Sequence, residues 1–189
     1  EIYTRPYTLS LHDALPIWVA GFDDTGGTTT KGRVLYRSPD LNPANIEVIL
    51  KSDDLVGGFP IARSSGVGFD YQVSDNGNHH IQELTLDTGS SVNDGVVYVD
   101  GTIIARESEP APANGNWDNF DRLVINDSGN YCFSGDTDGD TSTDEFIYYN
   151  GTDALKEGDT IAGIALVSGS TVNVMSLNND NHLVHQWSV

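Results

Sequence analysis

The chain has a single cysteine, Cys132, among its 189 residues. No internal disulfide can form and no cysteine-based metal cluster exists. In the strand-like "NYCFSG" a lone cysteine reads as a small buried hydrophobe. Basic residues are scarce too: nine Lys and Arg stand against 28 Asp and Glu, a formal net charge of -19. Such a field repels phosphate backbones and anionic lipid surfaces, so nucleic acid is excluded as an expected partner. Nothing approaches the run of about 18 apolar residues that a membrane span needs. No long stretch carries helical periodicity. The G-x-S-x-G, H-E-x-x-H and glycine-rich phosphate motifs are missing as well. Low lysine with abundant Asp, Asn, Gly, Ser and Thr fits an exported bacterial protein, extracellular or at the cell surface, whose partner is a protein or a carbohydrate.

What is present is β-structure. Segments such as "EVIL" (47–50), "VVYV" (96–99), "TIIA" (102–105) and "EFIYY" (145–149) are β-branched and aromatic. Between them lie turn signals of two kinds. Ser74-Asp75-Asn76-Gly77 and Asn126-Asp127-Ser128-Gly129 are rich in residues that accept positive φ. Asp100-Gly101 and Asn150-Gly151 are the strongest short hairpin signal.

These segments recur. "DYQVSDNGNHHIQE" (70–83) aligns with "RLVINDSGNYCFSG" (122–135) and "VMSLNNDNHLVHQW" (174–187), with Gly77, Gly129 and Asn181 spaced by 52 residues. "GVVYVDGTIIARESEPAPANG" (95–115) matches "EFIYYNGTDALKEGDTIAG" (145–163), and "RVLYRS" (33–38) with "IEVILKSDDLVGG" (46–58) forms a third instance, so that Lys51, Arg106 and Lys156 correspond. Four short strands repeated every 50–52 residues are what a β-propeller blade requires. The expected fold is therefore all-β, a β-propeller-like array and an incomplete one. It comprises a partial blade over 18–58, blades over 69–115 and 121–163, and a partial blade over 172–189. A stack of two flat sheets is the runner-up.

Residues 1–17, "EIYTRPYTLSLHDALPI", stand outside this pattern. His12, Asp13 and Pro16 interrupt the apolar stretch a secretory signal would need. Read back into codons, Thr8 to Ile17 and Glu1 to Tyr3 resemble an in-frame translation of a short-read sequencing adapter. That resemblance implies a non-native leader, set aside from the fold, on a fragment read from environmental DNA whose own amino terminus lies elsewhere.

"INDSGNYCF" (125–133) resembles the NxxGxxAF tandem repeat of exported bacterial proteins, with Asn126, Gly129 and Phe133 in place and Cys132 where the motif has Ala. "LKEGDTIAG" (155–163) is similar to the segment that closes such units. The other instances depart: Ser74 and Ile81 stand for Asn and Phe, and Asn181 for Gly. The resemblance implies a propeller-like architecture and an exported location, without an activity.

One loop carries chemistry. In "GDTDGDTSTDEF" (135–146), Asp136, Asp138, Asp140 and Asp144 occupy positions 1, 3, 5 and 9. Alternate carboxylates in a tight loop can wrap a hard cation, and calcium takes about 6–8 oxygens at flexible angles. The loop resembles the calcium hairpins of integrin-type and FG-GAP propeller blades, except that Thr141 stands where those have Gly. An EF-hand is excluded, because the twelfth position is Ile147 rather than Glu. The alternative is a solvated acidic tip. The adjacent His79 and His80 would face opposite sides of a strand and cannot chelate together. Trp117, Trp187, Tyr148 and Tyr149 read as interface filling or as a sugar-stacking surface.

The expected function is a non-catalytic exported propeller domain for adhesion, scaffolding or ligand binding, stabilised by calcium. The alternative is a carbohydrate-active enzyme, a glycoside hydrolase or lyase, which would need two carboxyls about 5–10 Å apart.

Overall fold

The computed structural model describes residues 17–23, 32–38, 42–63, 67–112 and 115–188. Of the leader expected over 1–17, only Ile17 falls within them, where it opens the first strand. Among the described residues the protein is all-β, its one helical turn being the 3-10 segment Pro43–Asn45.

Along the chain, β1 (Ile17–Asp23), β2 (Gly32–Ser38) and β3 (Glu47–Lys51) form a first antiparallel sheet. A two-residue hairpin of β4 (Leu55–Val56) and β5 (Phe59–Pro60) follows. The second sheet is β6 (Val67–Val73), β7 (His80–Thr85), β8 (Gly95–Val99) and β9 (Thr102–Arg106). The third is β10 (Trp117–Ile125), β11 (Tyr131–Thr137), β12 (Phe146–Tyr149) and β13 (Thr152–Lys156). A second short hairpin joins β14 (Thr160–Ile161) to β15 (Ile164–Ala165), and β16 (Thr171–Leu177) pairs with β17 (Leu183–Ser188) in the last sheet. Every strand pairs with its sequence neighbour. β10 opens at Trp117, ahead of the boundary at 121 expected from the sequence.

The turns form for the reasons the residues suggest. Asp100 and Gly101 have φ of 46° and 94°, and Asn150 and Gly151 have 44° and 94°. Two successive positive φ values are the geometry that matches strand twist in a two-residue hairpin. Each first turn residue also closes onto the neighbouring strand: Asp100 accepts from the His80 N–H at 2.8 Å and Asn150 from the Tyr131 N–H at 2.8 Å. A second pattern recurs after β3, β9 and β13. The N–H groups of Asp54, Glu109 and Asp159 each donate to the carbonyl three residues back, at 3.1 Å in all three, and their own carbonyls accept from Ile61, Trp117 and Leu166.

The turns after β6, β10 and β16 lie side by side and bond directly. Asp127 accepts from the Asn76 N–H at 2.7 Å and from Asn179 Nδ2 at 2.7 Å, while its own N–H donates to Asn179 Oδ1 at 2.9 Å. Asn126, buried, donates to the Asn178 carbonyl at 3.0 Å and to Asn181 Oδ1 at 2.7 Å.

The core lies between consecutive sheets. Ile81, Val97 and Val99 of the second sheet pack on Trp117, Leu123, Phe133 and Tyr148 of the third. Leu35 and Leu50 of the first meet Leu84 and Val96 of the second, and Cys132 and Ile147 of the third meet Val172 of the last. Trp117 sits edge-on to Phe146 and Tyr148, with ring centroids 4.9 and 5.3 Å apart, the arrangement aromatic quadrupoles favour. Trp117 and Tyr148 are thus interior, and Tyr149 and Trp187 are half-buried against the third cluster. Cys132 is fully buried in β11, and burial pushes its thiol up to about 12.

One correspondence read from the sequence shifts by a residue. Phe133 pairs with Leu123 and Tyr148, and the residue holding the same place in the second sheet, between Tyr71 and Tyr98, is Gln82 rather than Ile81. The turn explains the slip. The Ser74 N–H reaches the His79 carbonyl, whereas the Asn126 N–H reaches Asn130, so the second sheet's turn holds one residue more.

Candidate metal centre

The four aspartates singled out by spacing separate into two pairs. Asp138 points away from the loop: its carboxylate accepts from the Asn116 N–H at 2.7 Å and from Asn116 Nδ2 at 2.9 Å, and these bonds hold its pKa below the usual carboxylate range. Asp140 accepts from the Ser142 N–H at 3.0 Å and from Ser142 Oγ at 2.8 Å, with the same effect. Asp138 is spent on the segment that leads into β10, and Asp140 on the hairpin's own turn. Asp136 and Asp144 line a cavity of about 370 Å³ together with Asp118, Thr137, Glu145 and Glu157, and residues 168–171 form its other wall. Among the described residues no three of the four spaced aspartates come together.

A different set does. Carboxylate oxygens of Asp121, Asp136 and Glu145 lie within 4.8 Å of one another. The local fold brings them there by irregularities in β10. Its register against β11 slips between Trp117 and Asn119 and again between Phe120 and Arg122, which leaves Asp118 and Asp121 as the extra residues of two bulges. A bulge re-aims a side chain that strand alternation would have placed elsewhere. Here it adds Asp121 to Asp136, and it is the feature no spacing rule reveals.

The glutamates come from the β12–β13 end. The Glu157 N–H donates to the Glu145 carbonyl at 2.9 Å, so the two are cross-strand neighbours. In the second sheet the corresponding pair is Gly95 and Glu107, and Glu107 folds back to accept from the Gly95 N–H at 2.8 Å. A Cβ at Gly95 would lie 2.5 Å from the Glu107 carboxylate. With Glu145 in that place the fold-back is blocked, and both glutamates reach forward to the last sheet instead. Glu145 Oε1 accepts from the Val172 N–H at 3.0 Å and Glu157 Oε1 from the Ser170 N–H at 2.9 Å.

The electrostatics are those of carboxylates short of positive charge. Burial raises the proton affinity of Glu145, and the Asp136 carboxyl against it adds to the rise although the Val172 N–H opposes it. Burial likewise raises Glu157, with Asp144 pressed on it. Asp121 is raised by burial and by Asp136, while Arg122 works the other way.

The histidines stay apart from this centre. His79 Nδ1 lies 2.6 Å from Asp100 Oδ2, and the His80 N–H bonds the same carboxylate, so Asp100 holds both. Compared with protein-family models, with curated proteins and with solved structures, the chain finds no match. The chemistry has to be argued from the cleft itself. Of the four aspartates that the spacing singles out, Asp136 and Asp144 line this cavity and Asp138 and Asp140 do not, while Asp121, Glu145 and Glu157 carry no such spacing. The available signal was Glu145 and Glu157 standing where the aligned segments have Gly95 and Glu107, and Arg33 and Ser52.

Proposed function

We propose that the chain is a non-catalytic, exported domain of β-propeller-like repeats that serves adhesion, scaffolding or ligand binding and is stabilised by calcium. The observation that carries this is the row of turns at Asn76, Asp127 and Asn179, bonded to one another at intervals of 51 and 52 residues. Successive units of a tandem array stand in this relation to their neighbours. Support also comes from β10, which lies against both β6 and β16, and from cores that form between one sheet and the next. No helix among the described residues is long and apolar enough to cross a membrane.

A second reading, a carbohydrate-active enzyme on the same scaffold, draws on Glu145, whose raised proton affinity beside Asp121 and Asp136 suits an acid paired with a carboxylate. Glycosidases set their two carboxyls about 5–10 Å apart to fit a sugar or a water between them. The oxygens here lie within 4.8 Å, which favours a shared ion over a scissile bond. Glycan and protein arrays, run beside a reducing-sugar assay on a polysaccharide panel, separate the two. Binding without release of product supports the module, whereas release that disappears in Glu145→Gln establishes the enzyme.

A further inference from the structure

The calcium of the proposed function still needs a place, and the spaced aspartates do not supply it. We propose that the cleft between the third and last sheets binds one calcium ion through Asp121, Asp136 and Glu145, and that this ion fastens the last sheet to the third. The inference rests on the calcium part of the proposed function and is independent of its repeat and binding parts.

The donor set is all oxygen, which selects a hard cation. Calcium holds its ligands at about 2.3–2.6 Å, so oxygens on opposite sides of one ion lie about 5 Å apart. Three carboxylate oxygens within 4.8 Å of one another meet that condition. Independently of the acidic residues' number, two buried polar atoms on the wall of the cavity that Asp136 and Glu145 line lack a protein partner. Glu157 is 1% exposed and its Oε2 has no hydrogen-bond partner, nor has Thr137 Oγ1. A buried carboxylate oxygen without a donor is costly. Besides the Ser170 N–H on its other oxygen, the side chain set against Glu157 is the Asp144 carboxyl, which when ionised offers only another acceptor. Such a wall is complete when a cation or its bound water faces it.

The link to the last sheet follows from the anchors. Glu145 and Glu157 each use one oxygen on a backbone N–H, of Val172 and of Ser170, at the start of β16. Val172 is buried with Cys132 and Ile147 in the core between the two sheets. A cation in the cleft keeps both glutamates ionised and turned inward, and thereby holds those N–H groups. Without it the carboxylates repel one another and the last sheet loosens first.

The test is calcium titration by calorimetry, with thermal unfolding and amide hydrogen exchange in chelator and in millimolar calcium. The proteins are the wild type, Glu145→Gln, Asp121→Asn and the double variant Asp138→Asn/Asp140→Asn. The wild type is expected to bind one equivalent, to melt several degrees higher with calcium, and to slow exchange at Val172 and Ser170 at least tenfold. Either cleft variant should lose affinity at least tenfold, and Asp121→Asn stands in if Glu145→Gln fails to unfold cooperatively. The double variant should bind like wild type. Binding lost only in the double variant puts the ion in the hairpin loop and overturns the inference while leaving a calcium-stabilised module. Absence of binding by the wild type overturns both, and the array result above is untouched by either outcome.

Discussion

Glu157 donates its backbone N–H to the carbonyl of Glu145 at 2.9 Å, and the side chains of both line one cleft. Two buried glutamates in register, with Asp136 and Asp144 against them, repel one another when ionised and favour a bound proton or a cation. Replacing Glu157 by Gln keeps its shape and the bond from the Ser170 N–H while removing one charge. At pH 7 in chelator the variant should melt a few degrees above wild type. In millimolar calcium the order should reverse. Differential scanning fluorimetry in the two buffers reads the sign directly, and the same order in both would mean that no cation uses this wall.

Gln82 occupies the place in the second sheet that Phe133 holds in the third, and neither atom of its buried amide has a hydrogen-bond partner. Desolvating an amide without replacing its bonds costs on the order of 1–3 kcal/mol. Gln82→Leu, close in volume, should therefore raise stability by about 1–2 kcal/mol in urea unfolding. A loss of stability instead would show that the amide is bonded.

Asp127 joins three turns, accepting from the Asn76 N–H and from Asn179 Nδ2. Hydrogen bonds to a charged group contribute about 1.5–3 kcal/mol when buried and less at the surface. Asp127→Ala should cost on the order of 1 kcal/mol, with Asp127→Asn recovering part of it. Hydrogen exchange should show the loss at the Asn76 amide. An Ala variant as stable as wild type would mean that the turns merely touch.

Glu83 gives a pH dependence with a definite sign. Burial, then Asp70, Glu107 and Asp121, push its carboxyl up to about 7 from an ordinary 4.5. The folded protein therefore binds a proton there that the unfolded chain has released, so stability falls as pH rises between those values. Glu83→Gln removes this loss. Its melting temperature should match wild type near pH 4.5 and exceed it by several degrees at pH 8. Parallel curves across that range would place Glu83 in water.

The hairpins were legible because their chemistry is local. Asp100-Gly101 and Asn150-Gly151 adopt the successive positive φ that only such pairs accept readily. The strand segments were legible because β-branched and aromatic residues cluster in short runs between turn signals. The cleft was not. Its carboxylates come from a bulge at Asp121, from the strand after it at Asp136, and from the edge of β12 at Glu145, so no window of the sequence contains them in a readable spacing. Within the regular spacing from Asp136 to Asp144, Asp138 is held by Asn116 ahead of β10 and Asp140 by Ser142 in the turn. The one-residue slip at Ile81 has the same origin: an extra residue in a turn changes which side chain faces which sheet, and only the pairing reveals it.

The most direct measurement is an anomalous difference map from crystals grown in millimolar calcium. The account predicts one peak among Asp121, Asp136 and Glu145, with Glu157 and Thr137 facing it directly or through water. A peak seated between Asp138 and Asp140, or a cleft that shows none at that concentration, would contradict it.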